Sequence, residues 1–319
     1  MKKIFPFTVL LLLLTGCTNT SPSLFTIGNE QIRVQVSAAG AELRSIRTVH
    51  EEREYIWQAD SNYWSQSSPI LFPVIGRSYE NAYLYDGVQY HMPQHGFAMN
   101  YDWLCVFQGE DSLAFEFRAN EETRKLYPFD FVLDASYKIR HNRLAVYYQV
   151  RNEGNRPMPF VIGGHPGFNC PMGEAVPQSA YKLVFEKEEF LYRYYLANAI
   201  PDSALFLDHQ KSIPISKTLF ESGAVILKNP QSSWVGLQRP DGSIYLKLHI
   251  ENFPYLTLWT SMKEEAHFIC LEPWMGLPGQ RESLQQITDK EGAIELEPGE
   301  AFATFYEIEV GENSQGGKM

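Results

Sequence analysis

Cysteine, helix signals and positive charge are all scarce in this chain. Four cysteines occur in 319 residues. Cys17 stands near the start, and Cys105, Cys170 and Cys270 are far apart with no CxxC pair. That spacing excludes a zinc ribbon and argues against a disulfide framework, so free and mostly buried thiols are expected. No HExxH stretch occurs, so the commonest local signature of a catalytic zinc is missing. Lysine and arginine number 27 against 38 aspartates and glutamates. An acidic balance of this kind argues against nucleic acid and against a polybasic membrane patch. There is no internal repeat and no low-complexity linker after Ser23. Only residues 121–126 and 60–67 carry a helical pattern, and both are brief.

One apolar run is present at the N-terminus. Lys2 and Lys3 precede it and it ends at Leu14, which is too short for a permanent bilayer span. Residues 1–16 therefore read as an export signal. Leu14-Thr15-Gly16-Cys17 resembles the bacterial lipobox. The resemblance implies cleavage before Cys17 and acylation of that cysteine, with two or three acyl chains anchoring it in a bacterial membrane. The expected location is extracytoplasmic: outer membrane or periplasm in a Gram-negative cell, cell surface otherwise. Residues 17–24 are the lipidated cysteine and its tether. Residues 25–310 are expected to form a single domain and 311–319 a flexible tail. Removal of Lys2 and Lys3 takes the net charge from −11 to −13.

From Phe25 the chain alternates. Ile32, Val34 and Val36 are separated by Arg33 and Gln35, and Leu113, Phe115 and Phe117 by Ala114 and Glu116. The same period of two recurs at Leu144 to Val150, Ile244 to Ile250 and Tyr306 to Val310. It is the signature of half-buried strands, and the Asp-Gly, Asn-Glu-Gly-Asn and Pro-Gly clusters between them make tight turns. Strands recurring across the whole length predict an all-β fold, a large antiparallel β-sandwich.

Four segments break the alternation. In Cys270-Leu271-Glu272-Pro273-Trp274 a carboxylate follows an apolar run and precedes proline. Glu272 is thus expected at a strand end, where burial and fixed geometry tune a carboxylate for proton transfer. The plainer reading is a strand-end glutamate facing water. Arg77 ends the apolar run that begins at Pro69, and His95 and His165 sit in glycine- and proline-bracketed turns. Taken together, two chemistries fit. One is a histidine acid with a glutamate base and an arginine holding an oxygen-rich ligand. The other is a two-histidine, one-glutamate zinc set of His95, His165 and Glu272.

The segments Phe72-Pro73-Val74-Ile75-Gly76-Arg77, Met92-Pro93-Gln94-His95-Gly96-Phe97, His165-Pro166-Gly167-Phe168-Asn169-Cys170-Pro171 and Ile269-Cys270-Leu271-Glu272-Pro273-Trp274 resemble the galactose mutarotase (aldose 1-epimerase) family. The resemblance is strongest to its branch typified by the lactose operon's distal gene product. It implies that family's β-supersandwich and interconversion of α and β anomers of a free aldose, with no cofactor and no metal. Glu272 matches the general base at the C1 hydroxyl and His165 the general acid at the ring oxygen. His95 matches the second histidine beside the ring oxygen, and Arg77 the substrate-holding arginine. Gln94, Trp274 and Phe168 complete the expected substrate-binding set, with Trp57, Trp64 and Phe97 as further candidate walls. Activity is expected to follow a bell, lost in acid as Glu272 protonates and in base as His165 loses its proton. A neighbouring sugar transporter or dehydrogenase that accepts one anomer is the implied partner.

One departure bears on substrate choice. The resemblance implies a sugar-binding aspartate just before the strand that follows the third motif, and Gly223 stands there. Glu221 or Asp208 is the candidate substitute. The alternative to an enzyme is a non-catalytic carbohydrate-binding surface lipoprotein on the same scaffold.

Overall fold

A computed structural model describes residues 23–173, 176–194, 204–263, 266–279 and 282–311. The export signal, Cys17 and residues 312–319 lie outside the described residues. The period-two stretches form the strands Ile32–Ser37, Ser112–Arg118, Arg143–Asn152, Ile244–His249 and Ala301–Val310. In Ser112–Arg118, Leu113, Phe115 and Phe117 are buried while Ala114 and Glu116 are half-exposed, as alternation of faces requires.

Fifteen strands join in one sheet whose ladders are antiparallel. Its end strands are Ile70–Leu71 and Leu104–Gln108. Phe115 and Leu227, from distant strands of that order, belong to one buried cluster that runs from Ile27 to Val310. The sheet therefore closes over a core as a sandwich. Small sheets flank it: Leu24–Gly28, Ile32–Ser37 and Leu43–Thr48 form one, and Ala82–Tyr85 with Val88–His91 another. The core is rich in rings. Phe72 packs its edge against Phe97 and Tyr127 and lies 5.2 Å from Phe131, an arrangement contributing roughly 0.5–1.5 kcal/mol per pair beyond area burial.

The helix expected at 121–126 is present as Glu121–Leu126. Asn120 caps it, accepting from the Glu122 and Thr123 amides, while its own amide donates to Thr123 Oγ1. Residues 60–67 form no helix. The Asp60 side chain takes the Asn62 amide, and its carbonyl takes the Tyr63 and Trp64 amides, which closes a turn instead. Cys105, Cys170 and Cys270 form no disulfide among the described residues, and the last two are buried.

Candidate active site

The site is built on the strand Phe268–Trp274, buried along its whole length. The expected break directly after Glu272 does not occur: Thr257 pairs with Glu272, and Leu256 with Pro273, so the strand runs on to Trp274. Its two faces divide the work. Ile269 and Leu271 enter the main core. Phe268 and Cys270 point the other way, into an aromatic cluster with Trp57, Trp64 and Trp259. Glu272 and Trp274 continue that second face into a cavity of about 810 Å³.

His165 reaches the same cavity from the short strand Gly163–Gly164, wedged between Ile70–Leu71 and the Glu272 strand. A Cβ on Gly163 would lie 2.7 Å from Trp274 Cδ1, so only glycine lets the backbone come this close. The His165 ring stacks on Trp64 at 4.8 Å and meets Trp259 edge-on at 5.8 Å. Its Nε2 lies 3.2 Å from Glu272 Oε2.

Four buried polar atoms at this floor complete no hydrogen bond within the protein: His165 Nδ1, Glu272 Oε2, Thr257 Oγ1 and Trp274 Nε1. Thr257 is paired with Glu272 across the ladder and so shares its face. Buried polar groups ordinarily find partners, and such a gathering of unmet ones marks a place where a ligand supplies them. Burial pushes the Glu272 carboxyl well above its ordinary range, the nearby Trp274 indole opposing. Burial, with the neighbouring His95 second, pushes His165 well below the usual imidazole value. The pair therefore favours its uncharged form.

His95 stands edge-on to His165, with ring centres 5.5 Å apart. Its backbone is strained at φ +66°, held by reciprocal bonds in which the His95 amide donates to the Gly76 carbonyl and the Gly76 amide donates to His95 Nδ1. Burial, with Arg77 second, lowers its basicity to about 4, so the ring is neutral with its proton on Nε2. Gln94 lies 3.1 Å from that Nε2, but its Oε1 already accepts from Arg77 at 3.0 Å. Two donors thus lie side by side at the cavity rim, and one ligand oxygen within reach of both would satisfy both.

The structure thus brings Arg77, Gln94, His95, His165, Glu272 and Trp274 to one cavity, with Trp64 as a wall. Phe168 is not among its lining residues. Gly167 pairs with Cys270 and Phe168 with Ile269, so Phe168 shares the core-facing side and is fully buried there. Trp57 and Phe97 are core residues too. The metal-ligand grouping also differs from the expected one. His165, Cys270 and Glu272 have ligand atoms within 4.8 Å of one another, whereas both ring nitrogens of His95 already face protein groups. Glu221 and Asp208 are exposed and away from the cavity. Ala224 presents its methyl there, and the turn before it is tied down by Arg193, which donates to the Leu219 and Gly223 carbonyls. Sequence reasoning missed Thr257 and Trp259. Both lie in the run Tyr255–Trp259, which resembles any buried strand until its pairing with the Glu272 strand is known.

Comparison with known proteins follows the same lines. The sequence model described as Aldose 1-epimerase matches residues 23–309, and that of the prokaryotic membrane lipoprotein lipid attachment site matches residues 1–18. Plasmid-encoded Protein LacX of Lactococcus lactis is 30% identical over 296 residues, covering 88% of this chain and 97% of its own. A galactose mutarotase related enzyme of Lactobacillus acidophilus superposes with a TM-score of 0.85 at 29% identity, over 93% of this chain and all of the other. A galactose mutarotase-like protein of Lactobacillus casei gives 0.83 at 30%, over 90% and 100%.

Proposed function

The chain belongs to the aldose 1-epimerase family, and from that premise we propose that it is a mutarotase interconverting the α and β anomers of a free hexose. The carrying observation is the 3.2 Å contact between Glu272 and His165 at the floor of a cavity walled by tryptophan. Glu272 takes the proton of the C1 hydroxyl, the C1=O bond forms, the bond from C1 to the ring oxygen breaks, and His165 gives that oxygen a proton. The aldehyde turns about C1–C2 and the same steps run backwards from the other face. Ring opening converts a charged pair into a neutral one. Burial favours the neutral pair, so the cavity favours the protonation state that accompanies the open chain. His95 Nε2–H and the Gln94 amide both donate to one sugar oxygen beside them, Arg77 holds a hydroxyl, and Trp274 offers an unmet N–H. Each positioned acid or base contributes typically ~10² to 10⁴ in rate.

The lipid attachment site supports anchoring at Cys17 outside the cytoplasm. Beside a transporter or dehydrogenase that takes one anomer, such an enzyme would keep the usable anomer supplied. A second reading, sugar binding without turnover, draws on Gly223, which stands where a sugar-binding carboxylate is expected, with Ala224 next to it lining the cavity. Anomer exchange by NMR separates the two. Protein starting at Ser21 should speed exchange of glucose, galactose or xylose over buffer; rates equal to buffer on all three, with binding retained, would favour the second reading.

A further inference from the structure

Among the described residues, eleven large apolar side chains are exposed, and four of them gather where the chain emerges from its tether. Leu104, Val106 and Phe107 are 67%, 52% and 55% exposed on the end strand Leu104–Gln108, and Leu24 is 53% exposed on the first strand. These two strands lie side by side. The Ala38 amide donates to the Ser23 carbonyl and the Trp103 amide to the Ala38 carbonyl, which fixes one end. Gln108 donates to the Thr26 carbonyl, and the Gly28 amide to the Glu110 carbonyl, which fixes the other. A register shift between Cys105 and Phe107 lets Leu104 and Phe107 share one face, opposite Glu116 and Ala114.

The covalent chain says what covers this patch. Six Cα steps separate Cys17 from Ser23, which at about 3.6 Å each cannot exceed roughly 22 Å. An acylated Cys17 therefore keeps the bilayer within that distance of Ser23, and the end strand begins one hydrogen-bonded residue away from it. We propose that the face formed by Leu24, Leu104, Val106 and Phe107 docks on the lipid surface that holds the anchor. The proposal rests on acylation of Cys17. The patch is bordered by Asp102, Glu110 and Asp111, so the contact is apolar and does not need anionic lipid. It also orients the cavity: Met99 and Asn100, both cavity-lining, precede Leu104 by only a few residues, which sets the sugar-binding rim near the headgroups. The other exposed apolar group, Phe190, Tyr192 and Leu205, is on the hairpin Lys182–Tyr194 and Ala204–Pro214, which no short tether brings to the membrane.

The test uses the full acylated chain on zwitterionic phosphatidylcholine vesicles. A nitroxide is placed at Val106→Cys in a Cys105→Ser background, with Met262→Cys and Leu205→Cys as separate comparison sites. Collision with a water-soluble nickel chelate should fall several-fold at 106 on vesicles, stay unchanged at 262 and 205, and recover with Leu104→Ser plus Phe107→Ser while the protein remains bound. An acylated, vesicle-bound chain whose 106 label stays as water-exposed as in solution would overturn the docking alone. So would shielding at 205 instead, or shielding at 106 that depends on protein concentration without lipid, which would make the face a contact between two copies. Intact mass reads acylation separately; a bare Cys17 would overturn the anchor and the docking together.

Discussion

Replacing Glu272 by glutamine should abolish turnover and leave the protein at least as stable, an unusual combination that follows from its burial. The side chain is 1% exposed, and glutamine keeps its size. Loss of a positioned base removes about 10² to 10⁴ in rate, or about 3–5 kcal/mol of barrier lowering. Stability moves the other way. Burial raises the Glu272 carboxyl well above its ordinary 4.5, so the folded state binds this proton more tightly than the unfolded chain does. A raised acid contributes fully below its unfolded value, and that contribution fades as pH climbs through the folded value. Glutamine does not titrate, so the variant should melt with wild type at pH 4 and at or above it at pH 8. Anomer exchange by NMR and thermal melts followed by circular dichroism read the two halves. The reasoning fails if the variant exchanges within about tenfold of wild type, or if it melts far below wild type at pH 8, which would make the ionised carboxylate a structural element.

The pH profile should be a bell wider than two ordinary groups would give. In acid the pair gains a second proton on His165, pushed down from 6.5, and in base it loses its last from Glu272, pushed up from 4.5, so the limbs move apart and their assignment is the reverse of the ordinary one. Limbs near 4.5 and 6.5, the ordinary values of the two groups, would contradict this. Gly96→Ala should cost on the order of 3–5 kcal/mol in chemical denaturation, because φ is +78° and the new Cβ would lie 2.0 Å from the Phe72 carbonyl oxygen; an unchanged midpoint would show that the loop relaxes freely. Ala224→Asp should lower KM for at least one hexose with little change in kcat, whereas unchanged KM for every sugar tried would place position 224 away from the bound ligand.

Strand positions were legible because alternation is a local property: the runs at Leu113 to Phe117 and Leu144 to Val150 need no knowledge of their partners. The motif residues were legible because glycine and proline bracket them. What sequence could not carry is facing. Phe168 and Trp274 look alike in their motifs, yet register sends the first into the core and the second into the cavity. Thr257 and Trp259 become part of the site only through a ladder between distant segments. The turn at 60–67 misled because its periodicity resembles one helical turn, while Asp60 gathers the amides that a helix would have used.

The two-sided strand Phe268–Trp274 also says how this scaffold would age if selection for turnover were lifted. Ile269 and Leu271 face the main core and Phe268 and Cys270 the aromatic cluster, while Glu272 and Trp274 line the cavity. A lineage that kept the protein only for its shape would hold the packing residues and let the two cavity residues drift, alternate positions at the end of the strand. Relatives sorted by that alternating pattern, rather than by overall identity, would divide into working enzymes and retired ones.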